Sequence, residues 1–391
     1  MKHKLAKIAL LGGLLLTLPL QVEADDFGVV LRNILGQSDT AFVTYEKYNS
    51  YANVYSTFNS QTFDFTLSGG KQRMAFTPHK MPDVGVGVGR GFIALSYSKS
   101  VDDIFHKGDT RNSQFVFNII ANRFGLQFFN RKVKGASTIT SSSGFQQYDI
   151  TDEAFYNKPY MPEVGEEGGT DINLTGKKYE GFNSRETGID FYYVFNFKNF
   201  SYKAAYANST RQRHSAGSVM TGVNYAYFKS SLNLLADPFW DEADYAAFSK
   251  GENVDNFFYV PCESSQMELK YHKLSIKVGY SYNWAICQNL VLNGTLFPLL
   301  SMRWSDIKDV RHPKDGTLVV TDFDRNLSVD LMGQASLQWN NGKYYAGISG
   351  AFNTFHINRP LISMSKLYIE TRVCAGVYFN TFVKKKKNKK K

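Results

Sequence analysis

Residues 274–284, LSIKVGYSYNW, decide the fold class. Every second side chain from Leu274 to Trp284 is apolar or aromatic, and the side chains between them are small or polar. Successive side chains of a β-strand point to opposite faces, so this period of two predicts a strand with one apolar face and one polar face.

The same alternation recurs at residues 115–119, 189–197 and 327–339. Segments such as 274–284 and 323–339 hold 11 and 17 residues, whereas strands of soluble proteins usually hold about 5–6. A membrane strand needs about 9–11 residues at the usual tilt. Aromatic residues make up 15% of the chain, as in barrels with aromatic girdles at both interfaces. The predicted fold is therefore all-β, a transmembrane antiparallel β-barrel.

The alternating segments give fourteen candidate strands, and we expect a barrel of about 12–14 strands because single-chain bacterial barrels have an even number. The candidates are 61–67, 71–78, 83–89, 91–99, 112–120, 123–132, 185–197, 199–208, 217–230, 266–285, 289–304, 323–339, 343–356 and 366–383. Gly85, Gly87 and Gly89 alternate along one of them, which indicates a strand facing a crowded interior.

Counting backwards from a periplasmic C-terminus places the stretches 358–365, 305–322 and 231–265 outside the cell. Long outer loops and short periplasmic turns are the rule in such barrels. The same count puts the 198–199 turn outside and the insert 133–185 in the periplasm. Three alternatives stay open: a strand is missing, residues 256–260 form an additional strand, or the insert folds into the lumen.

Residues 1–24 are typical of a secretory signal peptide. Lys2, Lys4 and Lys7 precede the apolar run 8–20, and a small residue, Ala24, stands before Asp25. We expect cleavage between Ala24 and Asp25. The remaining chain divides into a lead-in segment 25–60, a barrel 61–383 with the insert 133–185, and a tail 384–391.

The net charge of +10 is concentrated at the two ends of the chain. The tail 384–391 contains seven Lys, and residues 25–383 carry a net charge of only +1. A nearly neutral body has no basic surface to hold phosphates, so nucleic acid is excluded as a partner. We expect the tail to be solvated in the periplasm.

Seven charged residues lie on the polar faces and are the candidate lining of the lumen, since a charge on the lipid face costs about 2–4 kcal/mol at the midplane. Opposite charges there either pair to rigidify a closed barrel or line a selective pore, and pairing is favoured. The seven are Asp190, Lys203, Lys277, Arg303, Asp330, Glu370 and Arg372.

Motifs for chemistry are absent from the sequence. The His and Cys residues form no HExxH, no Cys-x-x-Cys and no zinc spacing, and no GxSxG occurs. We therefore expect no catalytic residue, cofactor or metal. His214 and Ser215 have the residue types of a hydrolase, but neighbouring residues of a strand point to opposite faces. The three Cys residues are expected to act as small apolar side chains.

Residues 193–227, YVFNFKNFSYKAAYANSTRQRHSAGSVMTGVNYAY, are the most distinctive block of the chain. With the flanking AFTPH at 75–79, YEGF at 179–182 and GYSY at 279–282, this block resembles domain-of-unknown-function family 4421, exported proteins of Bacteroidota. The resemblance implies an outer-membrane barrel and no known activity. Residues 373–379 resemble the closing strand of such barrels, with Phe379 as the aromatic signal that the assembly machinery reads.

The first hypothesis is an integral outer-membrane barrel with a binding, transport or structural role and an unknown substrate. Its partners are membrane lipid and, during insertion, the assembly machinery. The second hypothesis is a barrel-embedded hydrolase or lipid-modifying enzyme, and the third is a soluble periplasmic β-sandwich. A closed barrel with an apolar outer face would exclude the third.

Overall fold

A computed structural model describes eleven segments of the chain: 35–67, 71–78, 82–105, 111–149, 169–207, 209–233, 258–259, 266–304, 317–319, 326–357 and 363–380. The predicted signal peptide, its cleavage site at Ala24 and Asp25, and the tail 384–391 lie outside these residues.

Twelve antiparallel strands form the wall of a barrel, so the predicted fold class is confirmed, with the strand number at its lower bound. We number them β1 (Ser50–Leu67), β2 (Asp83–Arg90), β3 (Ile93–Ser100), β4 (Arg111–Ile120), β5 (Phe124–Lys134), β6 (Phe182–Val194), β7 (Ala216–Asn233), β8 (Gln266–Cys287), β9 (Leu290–Trp304), β10 (Asn326–Asn340), β11 (Tyr344–Ile357) and β12 (Ser363–Phe379).

Each wall strand pairs with its neighbour in the sequence, and β12 pairs with β1 to close the ring. At this seam Ser50 lies opposite Phe379, and Thr66 lies opposite Ser363. Closure leaves no strand edge in the wall, which is the condition for a sheet to span a membrane. No helix among the described residues is both long and apolar enough to cross a membrane.

The barrel has two ends that differ in their connections. At the proximal end, where β1 begins and β12 ends, residues 91–92, 121–123, 288–289 and 341–343 form short turns, and residues 195–215 form one long connection. The connections at the distal end are longer, the longest being 135–181 and 234–265.

Shorter elements in the described part of the chain decorate both ends. They are the helices α1 (Val101–Phe105) and α2 (Tyr202–Tyr206) and the strands Val43–Tyr45, Gln72–Pro78, Ser137–Ser143, Gln146–Asp149, Thr170–Asp171, Lys178–Tyr179, Thr210–Gln212, Phe258–Tyr259 and Thr317–Val319.

Two of the fourteen predicted strands do not belong to the wall. The strand Gln72–Pro78 pairs with the distal part of β1 and with Ser137–Ser143, and it is not one of the twelve strands that close the ring. Residues 199–208 contain α2 instead of a strand. Tyr202 and Tyr206 are four residues apart, and this spacing satisfies a helical face as well as a strand face.

The loss of the strand at 199–208 corrects the placement of the long insert. Residues 133–185 connect the distal ends of β5 and β6, so the prediction that they share the end of the chain termini is wrong. The 198–199 turn lies at the proximal end, also opposite to the prediction. Residues 258–259 do form a strand, but it pairs with Gln146–Asp149 and not with the wall.

The wall begins at Ser50, before the predicted boundary at residue 61, and ends at Phe379, before residue 383. The early start is hidden in the sequence because Tyr51 and Tyr55 are buried on the inner face, while Val54 and Phe58 are exposed on the outer face. With aromatic or apolar residues on both faces, residues 50–60 show no clear period of two.

The outer face of the wall is apolar and the inner face is polar. Along β8, Ile276, Val278 and Tyr280 are more than half exposed, while Ser275 and Lys277 are buried. The same arrangement holds for Leu327 and Val329 against Asp330 on β10. A soluble sandwich would bury its apolar face, so this surface excludes the third hypothesis.

Candidate functional site

The interior of the barrel contains a chamber of about 220 Å³. It lies between segments of the chain that fill the proximal and distal ends. Strand alternation points polar side chains into it from most of the wall. Six amide side chains line it: Asn53, Gln114, Asn118, Gln127, Gln334 and Gln338. Such groups form hydrogen bonds to a polar solute without fixing its charge.

One ion pair lies in the wall of the chamber. Lys277 Nζ donates to Asp190 Oδ1 at 2.7 Å and Oδ2 at 2.6 Å. The ammonium also lies 5.1 Å from the ring centroid of Phe297, within cation–π range. The two charges therefore neutralise each other, and this pair adds no net charge to the chamber.

Two guanidinium groups in the chamber lack such a partner. Arg372 stacks 3.7 Å above the ring centroid of Tyr55, and Arg131 lies 4.9 Å from that of Tyr368. Among the described residues, no carboxylate lies within 4 Å of either group, although the charges of Glu186, Glu370 and Asp190 act on Arg131 from a longer distance. The Nε of each group is buried without a hydrogen-bond acceptor. Guanidinium groups bind carboxylates and phosphates through paired hydrogen bonds, so these two can receive an oxyanion.

A plug formed by residues 195–215 fills the proximal end. Ser201 caps α2 by accepting a hydrogen bond from the Ala204 N–H, and Phe200 and Ala205 are fully buried. Tyr202 and Tyr206 of this helix line the chamber, whereas Lys203 lines the pocket at the proximal end. The plug thus separates the chamber from the proximal mouth.

Hydrogen bonds hold the plug to the wall. Asn283 Nδ2 on β8 donates to Ser201 O at 2.9 Å and to Gln212 Oε1 at 3.0 Å. Tyr206 Oη donates to Asn293 on β9 at 2.7 Å, and Tyr202 Oη donates to Gln334 on β10. Water can replace bonds of this kind at a small net cost, about 0.5–1.5 kcal/mol each.

An aromatic lid fills the distal end. Phe63, Phe65, Phe76, Tyr179 and Phe182 are fully buried in one cluster, which joins the strand Gln72–Pro78 to inward side chains of the wall. This end is packed as a hydrophobic core and not as a water-filled mouth.

Two ion pairs of the described residues lie beneath the lid, one buried and one partly exposed. Arg303 Nη2 donates to Asp330 Oδ1 at 2.6 Å and Oδ2 at 2.5 Å, with both side chains almost inaccessible. Lys366 Nζ lies 3.2 Å from Glu186 Oε2. Opposite charges therefore pair in this part of the interior.

The seven predicted lining residues occupy three places. Asp190, Lys277, Glu370 and Arg372 line the chamber, and the Glu370 carboxylate accepts a hydrogen bond from Tyr368 Oη. Arg303 and Asp330 lie beneath the lid. Lys203 lies on α2, not on a strand, and faces the proximal mouth.

Five interior charges of the described wall strands escaped the sequence analysis, and one of them is Asp83, buried at the distal start of β2 with the parity of Gly85. Each lies toward the distal end of its strand, where inward aromatic residues of the lid obscure the alternation. Extending the strand register would have found them, because each has the parity of an inward neighbour: Lys273 that of Lys277, Lys366 that of Glu370, Glu186 that of Asp190 and Arg131 that of Gln127.

The residue types of a hydrolase do not form a catalytic site in the described structure. Ser215 Oγ accepts a hydrogen bond from the Ala285 N–H at 3.0 Å, and the His214 ring packs against Phe42 with centroids 5.7 Å apart. The described residues contain no group of three or more His, Cys, Asp or Glu side chains placed to hold a metal ion. Cys287 is exposed and Cys374 buried, both as free thiols, and Cys262 lies outside the described residues.

A family model described as "Domain of unknown function (DUF4421)" matches residues 37–379. The chain belongs to this family. No curated protein matches the DUF4421 chain significantly.

Solved outer-membrane proteins are similar to the DUF4421 barrel at low identity. The outer membrane protease OmpT from Escherichia coli is 9% identical with a TM-score of 0.38, covering 85% of this chain and 97% of that chain. The translocator domain of the autotransporter NalP from Neisseria meningitidis is 9% identical with a TM-score of 0.36, covering 85% and 88%. The P. putida toluene transporter TodX is 6% identical with a TM-score of 0.29, covering 85% and 91%. Similarity this low says nothing about activity.

The architecture itself decides the location of the protein. A closed β-barrel pairs the backbone hydrogen-bonding groups of its wall internally, and its apolar outer side chains contact the lipid tails. β-Proteins span the bacterial outer membrane in this way. The DUF4421 chain is an integral outer-membrane β-barrel in contact with membrane lipid.

Proposed function

We propose that this barrel binds a small, negatively charged polar solute in its chamber and passes it across the outer membrane by movement of the plug. The observation that carries the proposal is the pair of guanidinium groups, Arg131 and Arg372, which line the chamber and have no carboxylate within 4 Å among the described residues. A barrel that served only as a scaffold would have no need of unpaired interior cations.

The plug is the element that moves. Its connections to β6 and β7 tether it at both ends, and polar contacts such as those of Asn283 and Tyr206 hold it to the wall. The lid, in contrast, is a packed aromatic cluster. Opening the lid exposes the larger of two buried apolar clusters. Opening the plug exposes the smaller cluster around Phe200, and the plug's remaining contacts with the wall are hydrogen bonds that water can replace. We therefore place the gate at the proximal end.

Cys374 tests the gate because its buried thiol lines the chamber. In a background carrying Cys262→Ser and Cys287→Ser, we expect a small anionic methanethiosulfonate to modify Cys374 slowly. Asn283→Ala, which removes two bonds to the plug, should accelerate modification about tenfold, since access controls the reaction of a buried thiol. Mass spectrometry of the reconstituted protein measures the rate.

Two controls make this test decisive. His272→Ala changes an outward residue on the same strand and should leave the rate unchanged. Replacing residues 196–213 by Asn-Gly removes the plug and should give the fastest modification. If Cys374 reacts rapidly in the parent protein, or if neither change accelerates it, the plug does not close the chamber.

The orientation and assembly of the barrel are part of the proposal. Short turns gather at the proximal end, so this end faces the periplasm and the insert 133–185 faces outward. Phe379 ends β12 at the seam with β1, which supports its role as the signal for the assembly machinery.

One display experiment tests both assignments. An epitope inserted within residues 150–168 should be accessible on intact cells. Phe379→Ala should lower this display at least severalfold, because the closing strand is no longer recognised, whereas deletion of residues 384–391 should leave it unchanged. Display only after permeabilisation would reverse the orientation, and loss of display on tail deletion would move the signal to the tail.

A further inference from the structure

A second pocket opens at the proximal end, on the far side of the plug from the chamber. It has a volume of about 400 Å³ and lies between α2, the lead-in residues 35–51 and the turns at 91–92 and 121–122. Small-molecule sites have volumes of about 300–1,000 Å³, so the pocket has room for one small organic ligand.

Lys203 is the cation of this pocket. Its side chain is 8% exposed, and within the described part of the chain its ammonium has no hydrogen-bond acceptor and no carboxylate partner. Burial without an anion lowers the pKa of this lysine to about 8. A buried charge without a partner destabilises a fold, so its presence requires a reason outside the folding of this chain.

Glu46, the carboxylate that lines this pocket, already forms an ion pair with Arg211. Its Oε1 lies 3.0 Å from Arg211 Nε and accepts a hydrogen bond from Asn340 Nδ2 at 3.1 Å. Burial raises the pKa of Glu46, and Arg211 opposes this rise. Glu46 is therefore neutralised by its own partner, and the charge of Lys203 is left for a ligand.

The rest of the pocket favours a flat ring. Tyr45, Tyr48, Tyr51 and Tyr378 line it, with the rings of Tyr48 and Tyr378 parallel and 6.5 Å apart. Asn122 Oδ1 is buried without a donor, while its Nδ2 already donates to Gly36 O and to Tyr45 Oη. Tyrosine faces stack on aromatic rings, whereas the Asn122 oxygen is not exposed to the pocket.

We propose that the proximal pocket binds a small aromatic monocarboxylate, with its carboxylate on Lys203 and its ring among the tyrosines. Lys203 is the single free cation among the described lining residues, which limits the ligand to one negative charge. This site is distinct from the chamber, and the plug lies between them, so it stands whether or not the chamber transports a solute.

Calorimetry with 4-hydroxybenzoate tests the site on the purified full-length barrel in detergent. We expect saturable binding at about millimolar concentrations and a loss of about tenfold or more in affinity on Lys203→Met, because a charge-assisted hydrogen bond is removed. Lys198→Met changes an exposed lysine of the same plug and should leave affinity unchanged. The neutral analogue 4-hydroxybenzyl alcohol should bind as weakly to the parent protein as 4-hydroxybenzoate binds to the Lys203→Met variant.

Further measurements separate failure of this site from failure of folding or of the chamber. Heat-modifiable gel migration should show that Lys203→Met still assembles, because the change removes a buried charge. Arg372→Met alters the chamber and should leave the calorimetric affinity unchanged. The proposal is overturned if the folded parent does not bind 4-hydroxybenzoate, if Lys203→Met binds it equally, or if the neutral alcohol binds as tightly.

Discussion

Asp330→Leu is expected to destabilise the barrel by about 3–5 kcal/mol, because it leaves the Arg303 guanidinium buried without its anion. Arg303 is fully buried and donates two hydrogen bonds from Nη2 to the Asp330 carboxylate. Ser301 Oγ donates to the same carboxylate at 2.7 Å. Urea unfolding in phospholipid vesicles, followed by tryptophan fluorescence, measures the change in the free energy of unfolding.

The double variant Arg303→Met with Asp330→Leu is the matched control for this experiment. Removing both charges removes the desolvation penalty together with the attraction, so the double variant should be more stable than Asp330→Leu and close to the parent. If the single variant were as stable as the double variant, water would reach Arg303 and the distal lid would not seal the interior.

The wall of the barrel could be predicted from the sequence because its two faces meet different solvents. The face in contact with lipid requires apolar residues, and the interior tolerates polar residues on the other face. The alternation of residues such as Val278 and Lys277 therefore predicts which of them points outward and which points inward. The glycine run of β2 was also informative. Gly85 and Gly89 face inward beneath the rings of Tyr55 and Tyr51, where a Cβ would clash, which confirms the predicted crowded interior.

The plug could not be predicted because nothing in its local sequence distinguishes it from a strand. Residues 199–208 carry tyrosines at a spacing compatible with both periods, and their burial depends on partners more than 70 residues away, such as Asn283. One helix misassigned as a strand then inverted the sides of every connection counted beyond it. The free cation Lys203 was identified as interior for the wrong reason, as part of a strand.

The central chamber was only partly predictable, for a related reason. Asp190, Lys277, Glu370 and Arg372 follow the clean alternation of their strands, but Arg131 stands in the run Arg131-Lys132-Val133-Lys134, which resembles the charged end of a strand. Which interior charges are paired depends on the stagger between strands. For example, Lys277 of β8 reaches across β7 to Asp190 of β6, a contact that no local pattern encodes.

Val278→Arg is expected to destabilise the assembled barrel by about 2–4 kcal/mol, because it places a charge against lipid near the middle of a long strand. The Val278 side chain is 53% exposed on the outer face, whereas the adjacent Lys277 is 1% exposed and points inward. The fraction of protein with heat-modifiable gel migration measures assembly, and urea unfolding in vesicles measures stability.

Two controls distinguish the effect of a charge on the outer face from the effect of changing any residue in this part of β8. Val278→Ala removes apolar contact with lipid but adds no charge, so it should lower the assembled fraction far less than Val278→Arg. Lys277→Gln should also have the smaller effect, since an amide N–H can still donate to Asp190, and Asp190 borders the polar chamber. Equal loss of assembly for Val278→Arg and Lys277→Gln would mean that the register of β8 is shifted by one residue, because such a shift exchanges the two faces of the entire strand.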